Sequence, residues 1–208
     1  MKFILFVEGD TEKSLAPFLK RWLDARLTKN VGIQIVKFSG FGEFKKDLKK
    51  RVELHLNQDE NNEIIAVIAL IDIYGLELDY PLEINTVQKR KQWATQYFEQ
   101  QVVNTRFKVF FAIHETEAWL LSDPKIFQKN VRNSFPVRFS RPEDVNSNEP
   151  PSVQLNALYL THLNQRYRKI LDGSTLFEKL DPNIVCNKCP TFKSMMETLL
   201  QLAQSAGN

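Results

Sequence analysis

Residues 63–71 (EIIAVIALI) place an almost unbroken apolar run directly in front of Asp72. Such a run lacks the polar alternation of a half-solvated strand, so it fits a strand covered on both faces, as in a parallel sheet. Three further segments have the same character. Residues 2–7 (KFILFV) end in Glu8-Gly9-Asp10, residues 32–38 read GIQIVKF, and residues 107–113 (FKVFFAI) end in His114, Glu115, Thr116 and Glu117. Between these runs apolar residues recur at helical spacing. Leu15, Phe18, Leu19, Trp22 and Leu23 form one stripe, and Pro17 within it predicts a kink or a late helix start near Ser14. Phe44, Leu48 and Val52 form a second stripe, and a polar helix is expected over 85–101. Strands alternating with helices predict right-handed crossovers and an α/β fold, a mostly parallel sheet flanked by helices.

The pattern changes beyond about residue 122. Residues 133–152 are rich in Pro, Ser, Asn and Arg and read as a long loop, and helical patterns return over 153–171 and 190–204. The expected organisation is an α/β domain over 1–130, with a loop and a helical C-terminal extension over 131–208 packed on it.

Composition excludes little. The 28 Lys+Arg against 25 Asp+Glu leave a net charge of +3, which neither demands nor forbids a nucleic-acid partner. The two cysteines, Cys186 and Cys189, do not make a disulfide scaffold, and a single CxxC without a second pair reads as a partly buried loop ahead of a zinc site. The N-terminal apolar segment is too short for a signal peptide, and no apolar run reaches the roughly 18 residues of a membrane span. A cytoplasmic, reduced protein without a membrane partner is expected.

The chemistry sits at strand ends. Glu8, Asp72 and Glu115 each close an apolar run, and in open parallel sheets ligands bind beyond the carboxyl ends of the strands. Converging carboxylates would suit Mg²⁺ or Mn²⁺, which prefer oxygen ligands. Glu12 precedes Leu15, Leu19 and Leu23 at helical spacing, which extends the buried stripe toward Glu8. Each residue also has a plainer reading. Glu12, Glu115 and Glu117 could be first-turn helix acids, and Asp72 a cap or turn former. Gly40-Phe41-Gly42 is neither a Rossmann fingerprint nor a P-loop, His114-Glu115 is not HExxH, and no nucleophile elbow is present. Two basic groups could meet a phosphate backbone: Lys45, Lys46, Lys49 and Lys50 with Arg51, and Arg132, Arg138 and Arg141 interleaved with Phe135 and Phe139. A solvated helix face is the plainer reading of the first group, and a mobile surface loop explains the second equally well.

The segment Phe6-Val7-Glu8-Gly9-Asp10-Thr11-Glu12 resembles the Glu-Gly-x-Thr-Glu opening of Toprim-like proteins. Asp72-Ile73-Tyr74-Gly75-Leu76 and His114-Glu115-Thr116-Glu117-Ala118 are similar to segments of the bacterial family called domain of unknown function 4276, as are Pro150-Pro151-Ser152 and Cys189-Pro190-x-Phe192. The resemblance implies a Toprim-like fold. It also implies that Glu8 and Asp72 are the catalytic carboxylates; the strand-end reading adds Glu12, Glu115 and Glu117 as candidate metal ligands. Relatives accompany ABC- or AAA-type ATPases in phage-defence gene clusters, which implies such a partner. One departure matters. The second aspartate of the Toprim Asp-x-Asp pair is Tyr74, whose phenol is a poor substitute for a carboxylate at neutral pH. The Pro-Ser segment also continues Val153-Gln154, where relatives would carry basic residues.

Two readings follow. The first is a Mg²⁺- or Mn²⁺-dependent nuclease on DNA or RNA, with Glu115 or Glu117 replacing the missing ligand. The second is a non-catalytic regulatory or sensing subunit of an ATPase complex, favoured by Tyr74. Nucleic acid and an ATPase are the expected partners, and a homo-oligomer is left open.

Overall fold

A computed structural model describes residues 1–8, 14–74, 76–144 and 149–207, without the side chains of Val137 and Arg138. The expectations for Glu12, Gly9, Gly75 and the Arg138 side chain therefore lie outside the described residues. Four strands, β1 (Lys2–Glu8), β2 (Gly32–Phe38), β3 (Ile64–Asp72) and β4 (Phe107–Ala112), form one sheet in the order β2-β1-β3-β4. All three pairings are parallel. The crossovers carry α1 (Leu15–Asp24), α2 (Phe41–Asn57) and α3 (Val87–Gln101). Pro17 falls in the first turn of α1, where its missing N–H leaves no helical bond unmade.

The apolar runs are strands because both sheet faces are covered. On one face, Phe3, Leu5 and Val7 of β1 and Ala66, Ile68 and Leu70 of β3 pack with α1. On the other, Ile4, Phe6, Val67, Ala69 and Ile71 pack against Phe44, Leu48, Val52 and Leu56 of α2 and Ala94 and Phe98 of α3. β2, an edge strand, is half-buried along most of its length.

The chain after β4 is helical: α4 (Glu117–Leu120), α5 (Lys129–Arg132), α6 (Pro151–Leu163), α7 (Leu171–Lys179), α8 (Pro182–Lys188) and α9 (Pro190–Gly207). These helices complete the α1 face of the sheet. α9 packs on β3 and β4, and α7, α8 and α9 pack on α1. Phe192 lies 5.6 Å from the Phe18 ring and 4.7 Å from the Trp119 ring. Arg21 of α1 donates to the carbonyls of Phe177, Glu178 and Leu180, tying α1 to the end of α7.

Two local expectations change. The helix expected across 153–171 stops at Leu163, because Asn164 adopts a left-handed conformation (φ 52°) that ends helices. The loop that follows carries Tyr167 and Lys169. Cys186 belongs to α8 and Cys189 follows it directly, so the CxxC is helical, with two buried free thiols. Burial pushes the Cys186 thiol up to about 11 and Cys189 up as well. Among the described residues no helix is long and apolar enough to cross a membrane.

Candidate carboxylate and lysine site at the sheet edge

β3 and β4 are neighbours, so their carboxyl ends share one edge. The ladder runs on past the strands: Ile73 N donates to Ala112 O (3.0 Å) and Tyr74 N to His114 O (2.9 Å). His114 then turns the chain with φ 66°, a left-handed conformation uncommon outside glycine, Asn and Asp. Its imidazole is buried, which lowers its pKa against a hydrogen bond with the Glu143 backbone.

This turn sets three carboxylates in different surroundings. Asp72 Oδ1 accepts from Thr116 N at 3.0 Å. Glu115, half-buried, accepts from Ser152 N (2.8 Å) and Ser152 Oγ (3.0 Å) at the start of α6. Glu117 has no exposed surface, and its Oε2 lies 3.1 Å from Lys169 Nζ. Lys169 also reaches Asp72 Oδ2 at 4.0 Å. The second oxygen of Glu117, Oε1, is buried without a hydrogen-bond partner among the described residues, as is the hydroxyl of Tyr167. Burial pushes the Glu117 carboxyl up against the pull of Lys169. Burial opposes the charge on Lys169, but Glu117, Asp72 and Glu115 outweigh it and hold the ammonium above the usual lysine range.

Glu8 has a different setting. Its Oε1 accepts from Phe41 N at 3.0 Å, at the start of α2. Residues alternate across a strand, so Glu8 continues the Ile4–Phe6 side of β1 toward α2, whereas Asp72 continues the Ile68–Leu70 side of β3. The sheet order makes these strand ends neighbours; the pleat sends their side chains to opposite faces. Tyr74 is 45% exposed at the same edge.

Among the described residues no three His, Cys, Asp or Glu side chains are grouped to hold a metal ion. The donor chemistry nevertheless suits a hard divalent cation. Asp72, Glu115 and Glu117 all offer carboxylate oxygen.

The basic residues are spread more widely. Lys45, Lys46, Lys49 and Lys50 are exposed on α2, with Lys49 3.9 Å from Glu53. Arg51 instead turns inward to Glu43, to the Lys37 carbonyl and over the Phe38 ring. Arg132 is exposed, and Arg141 is exposed and 3.9 Å from Asp144. Phe139 is buried and Phe135 packs against it and Phe127, so these rings face the core.

Sequence reasoning missed Lys169, Tyr167 and the bond from Ser152 to Glu115. The available signal was Asn164 before a basic stretch that ends at Asp172-Gly173, a break inside an apparent helix. Arg168 pairs with Asp172 across that break.

The C-terminal region of the Burkholderia pseudomallei OLD protein matches with a TM-score of 0.51 at 15% identity, over 98% of each chain. The C-terminal region of the Xanthomonas campestris pv. campestris OLD protein matches with a TM-score of 0.45 at 16% identity, over 99% of this chain and 97% of that one. A comparison with curated proteins returns no match. The model of the family described as Domain of unknown function (DUF4276) matches residues 7–200. With that match spanning nearly the whole chain, the protein belongs to the DUF4276 family.

Proposed function

We propose that this protein is a Toprim-like, divalent-metal-dependent nuclease that cleaves phosphodiester bonds of DNA or RNA, working in phage defence with an ABC- or AAA-type ATPase. The observation that carries the reading is the Lys169 ammonium, 3.1 Å from Glu117 and 4.0 Å from Asp72, beside Glu115 at the carboxyl edge of a parallel sheet. A cation fixed among strand-end carboxylates is suited to a phosphate whose charge grows during displacement. The likeness to the OLD C-terminal region supports the fold, and the Glu8–Glu12 segment supports the Toprim comparison.

In this reading Glu8, Glu12 and Asp72, with Glu115 or Glu117, would hold Mg²⁺ or Mn²⁺, which would activate water and stabilise charge on the phosphate. Asp72 is oriented by Thr116 N and Glu115 by Ser152. Lys169 supplies fixed positive charge toward a phosphate oxygen. Lys45, Lys46, Lys49, Lys50, Arg138 and Arg141 would contact the nucleic-acid backbone.

The test is incubation of purified protein with plasmid, single-stranded DNA and RNA plus Mn²⁺, with and without the ATPase partner, beside Glu8→Gln and Lys169→Met. Cleavage by the wild type that both variants lose is the expected result. No cleavage on any substrate with the partner present overturns the proposal. It would favour the second reading, a non-catalytic regulatory subunit, which Tyr74 at the second Asp-x-Asp position supports.

A further inference from the structure

Glu115 and Glu117 follow the same strand, yet their carboxylates are held in opposite ways. Glu115 is half-buried, and the two Ser152 donors leave lone pairs on both of its oxygens unused. Glu117 has no exposed surface, and one of its oxygens is engaged by Lys169 at 3.1 Å. A hydrated hard cation keeps several waters and needs open space. Lys169 and Asp72 border that space, with side chains 39% and 24% exposed, whereas Glu117 lies behind them.

Tyr167 supplies the second observation. It precedes Lys169 on the loop after α6, and its backbone N–H is fixed by Asn156 Oδ1 at 3.2 Å. Its hydroxyl is buried and lacks a partner among the described residues, like Glu117 Oε1. Burial, and after it the Glu117 charge, pushes the phenol above its ordinary range. An unmet buried polar group costs about 1–3 kcal/mol. One ordered water between a phenol donor and a carboxylate acceptor meets both needs.

We propose that Glu117 is a positioning residue that, backed by Tyr167, holds Lys169 beside Asp72, and that Glu115 is the ion's ligand from the β4 side. This rests on the nuclease reading and divides labour within it: Glu115 serves the ion, and Glu117 serves the lysine.

The test uses the full chain. In metal-free protein, ¹H–¹⁵N spectra of lysine ammonium groups should contain one slowly exchanging resonance, identified by its loss in Lys169→Met. Glu117→Gln should abolish it and Glu115→Gln should keep it. Mn²⁺ titration should then find Glu117→Gln and Tyr167→Phe within roughly 2-fold of wild type, and Glu115→Gln weaker by roughly 10-fold or more. Where cleavage is measurable, Glu117→Gln should lower kcat by about 10–100-fold with KM unchanged. A Lys169 resonance that survives Glu117→Gln overturns the proposal. So does an equal loss of Mn²⁺ affinity in Glu117→Gln and Glu115→Gln, or a wild type that binds no Mn²⁺. If Glu117→Gln does not fold, Tyr167→Phe decides: faster ammonium exchange at unchanged Mn²⁺ affinity is expected, and unchanged exchange overturns the role of Tyr167 and Glu117. A wild type that binds Mn²⁺ but cuts nothing sinks the nuclease reading alone, because neither the spectra nor the titration needs turnover.

Discussion

Glu8 and Asp72 end adjacent parallel strands, and their carboxylates turn to opposite faces of the sheet, Glu8 to the first N–H of α2 and Asp72 to Thr116 N. In metal-free protein the stability effects of Glu8→Gln and Asp72→Asn should therefore add, with a coupling below about 0.5 kcal/mol in a double-mutant cycle. On the nuclease reading the coupling should exceed about 1 kcal/mol in saturating Mn²⁺, because the ion would draw both side chains past the strand ends. Urea denaturation of the four proteins with and without Mn²⁺ measures both values.

Lys169→Met should destabilise the fold more than a surface lysine change. It strands the Glu117 carboxylate in the interior, an arrangement that costs about 3–5 kcal/mol when fully buried. Because the Lys169 side chain is 39% exposed, solvent screening brings the expected loss to about 2 kcal/mol. The sign with pH is fixed by the direction of each shift. Lys169 is raised, so its contribution is complete below the unfolded lysine pKa and fades only in strong alkali. Glu117 is also raised, and more so without its lysine. The variant should therefore lose stability as pH rises above the ordinary glutamate range, faster than the wild type. Thermal denaturation across that range checks it.

Asp59 fastens the other end of the sheet. Its carboxylate accepts from Glu63 N (2.8 Å) and Ile64 N (3.1 Å) and pairs with Arg106 (2.9 Å), joining the start of β3 to the turn before β4. Burial opposes its charge, but these donors outweigh burial and hold the carboxyl below the usual range. Its contribution should be present above the unfolded aspartate pKa and lost as pH falls through the depressed native value. Asp59→Asn should cost about 1–3 kcal/mol at pH 7, and the gap to wild type should close as pH falls through the depressed native value. Denaturant midpoints from pH 7 to 2.5 give the comparison.

Phe192 tests whether the C-terminal helices belong to the sheet's core. It is 1% exposed and packs on Phe18 and Trp119, from α1 and α4. Phe192→Ala should cost about 3–5 kcal/mol and shift a single cooperative transition. Two transitions, with only the second unmoved, would mean that α9 unfolds by itself.

The strands, the α/β class and the first three helices were legible in the chain because burial on both faces writes itself as continuous apolar runs, and amphipathic helices as stripes. Both signals are local. The strand-end acids were legible for the same reason: an acid closing a run such as 63–71 stands out against its neighbours. Tyr74 was visible too, because a missing carboxylate in a short motif needs no third dimension.

What surrounds those acids was not legible. Lys169 reaches Asp72 and Glu117 from a loop far along the chain, and nothing local distinguishes it from the lysines of a solvated helix. Ser152 at Glu115 and the helices covering the α1 face depend likewise on contacts between distant segments. The sequence by itself determined which residues could carry charge and which segments had to be buried. Only the tertiary structure decided which carboxylate stays open beside Ser152, which is sealed against a lysine, and which turns to the far face of the sheet, because pleat parity and long-range packing set the direction of a side chain.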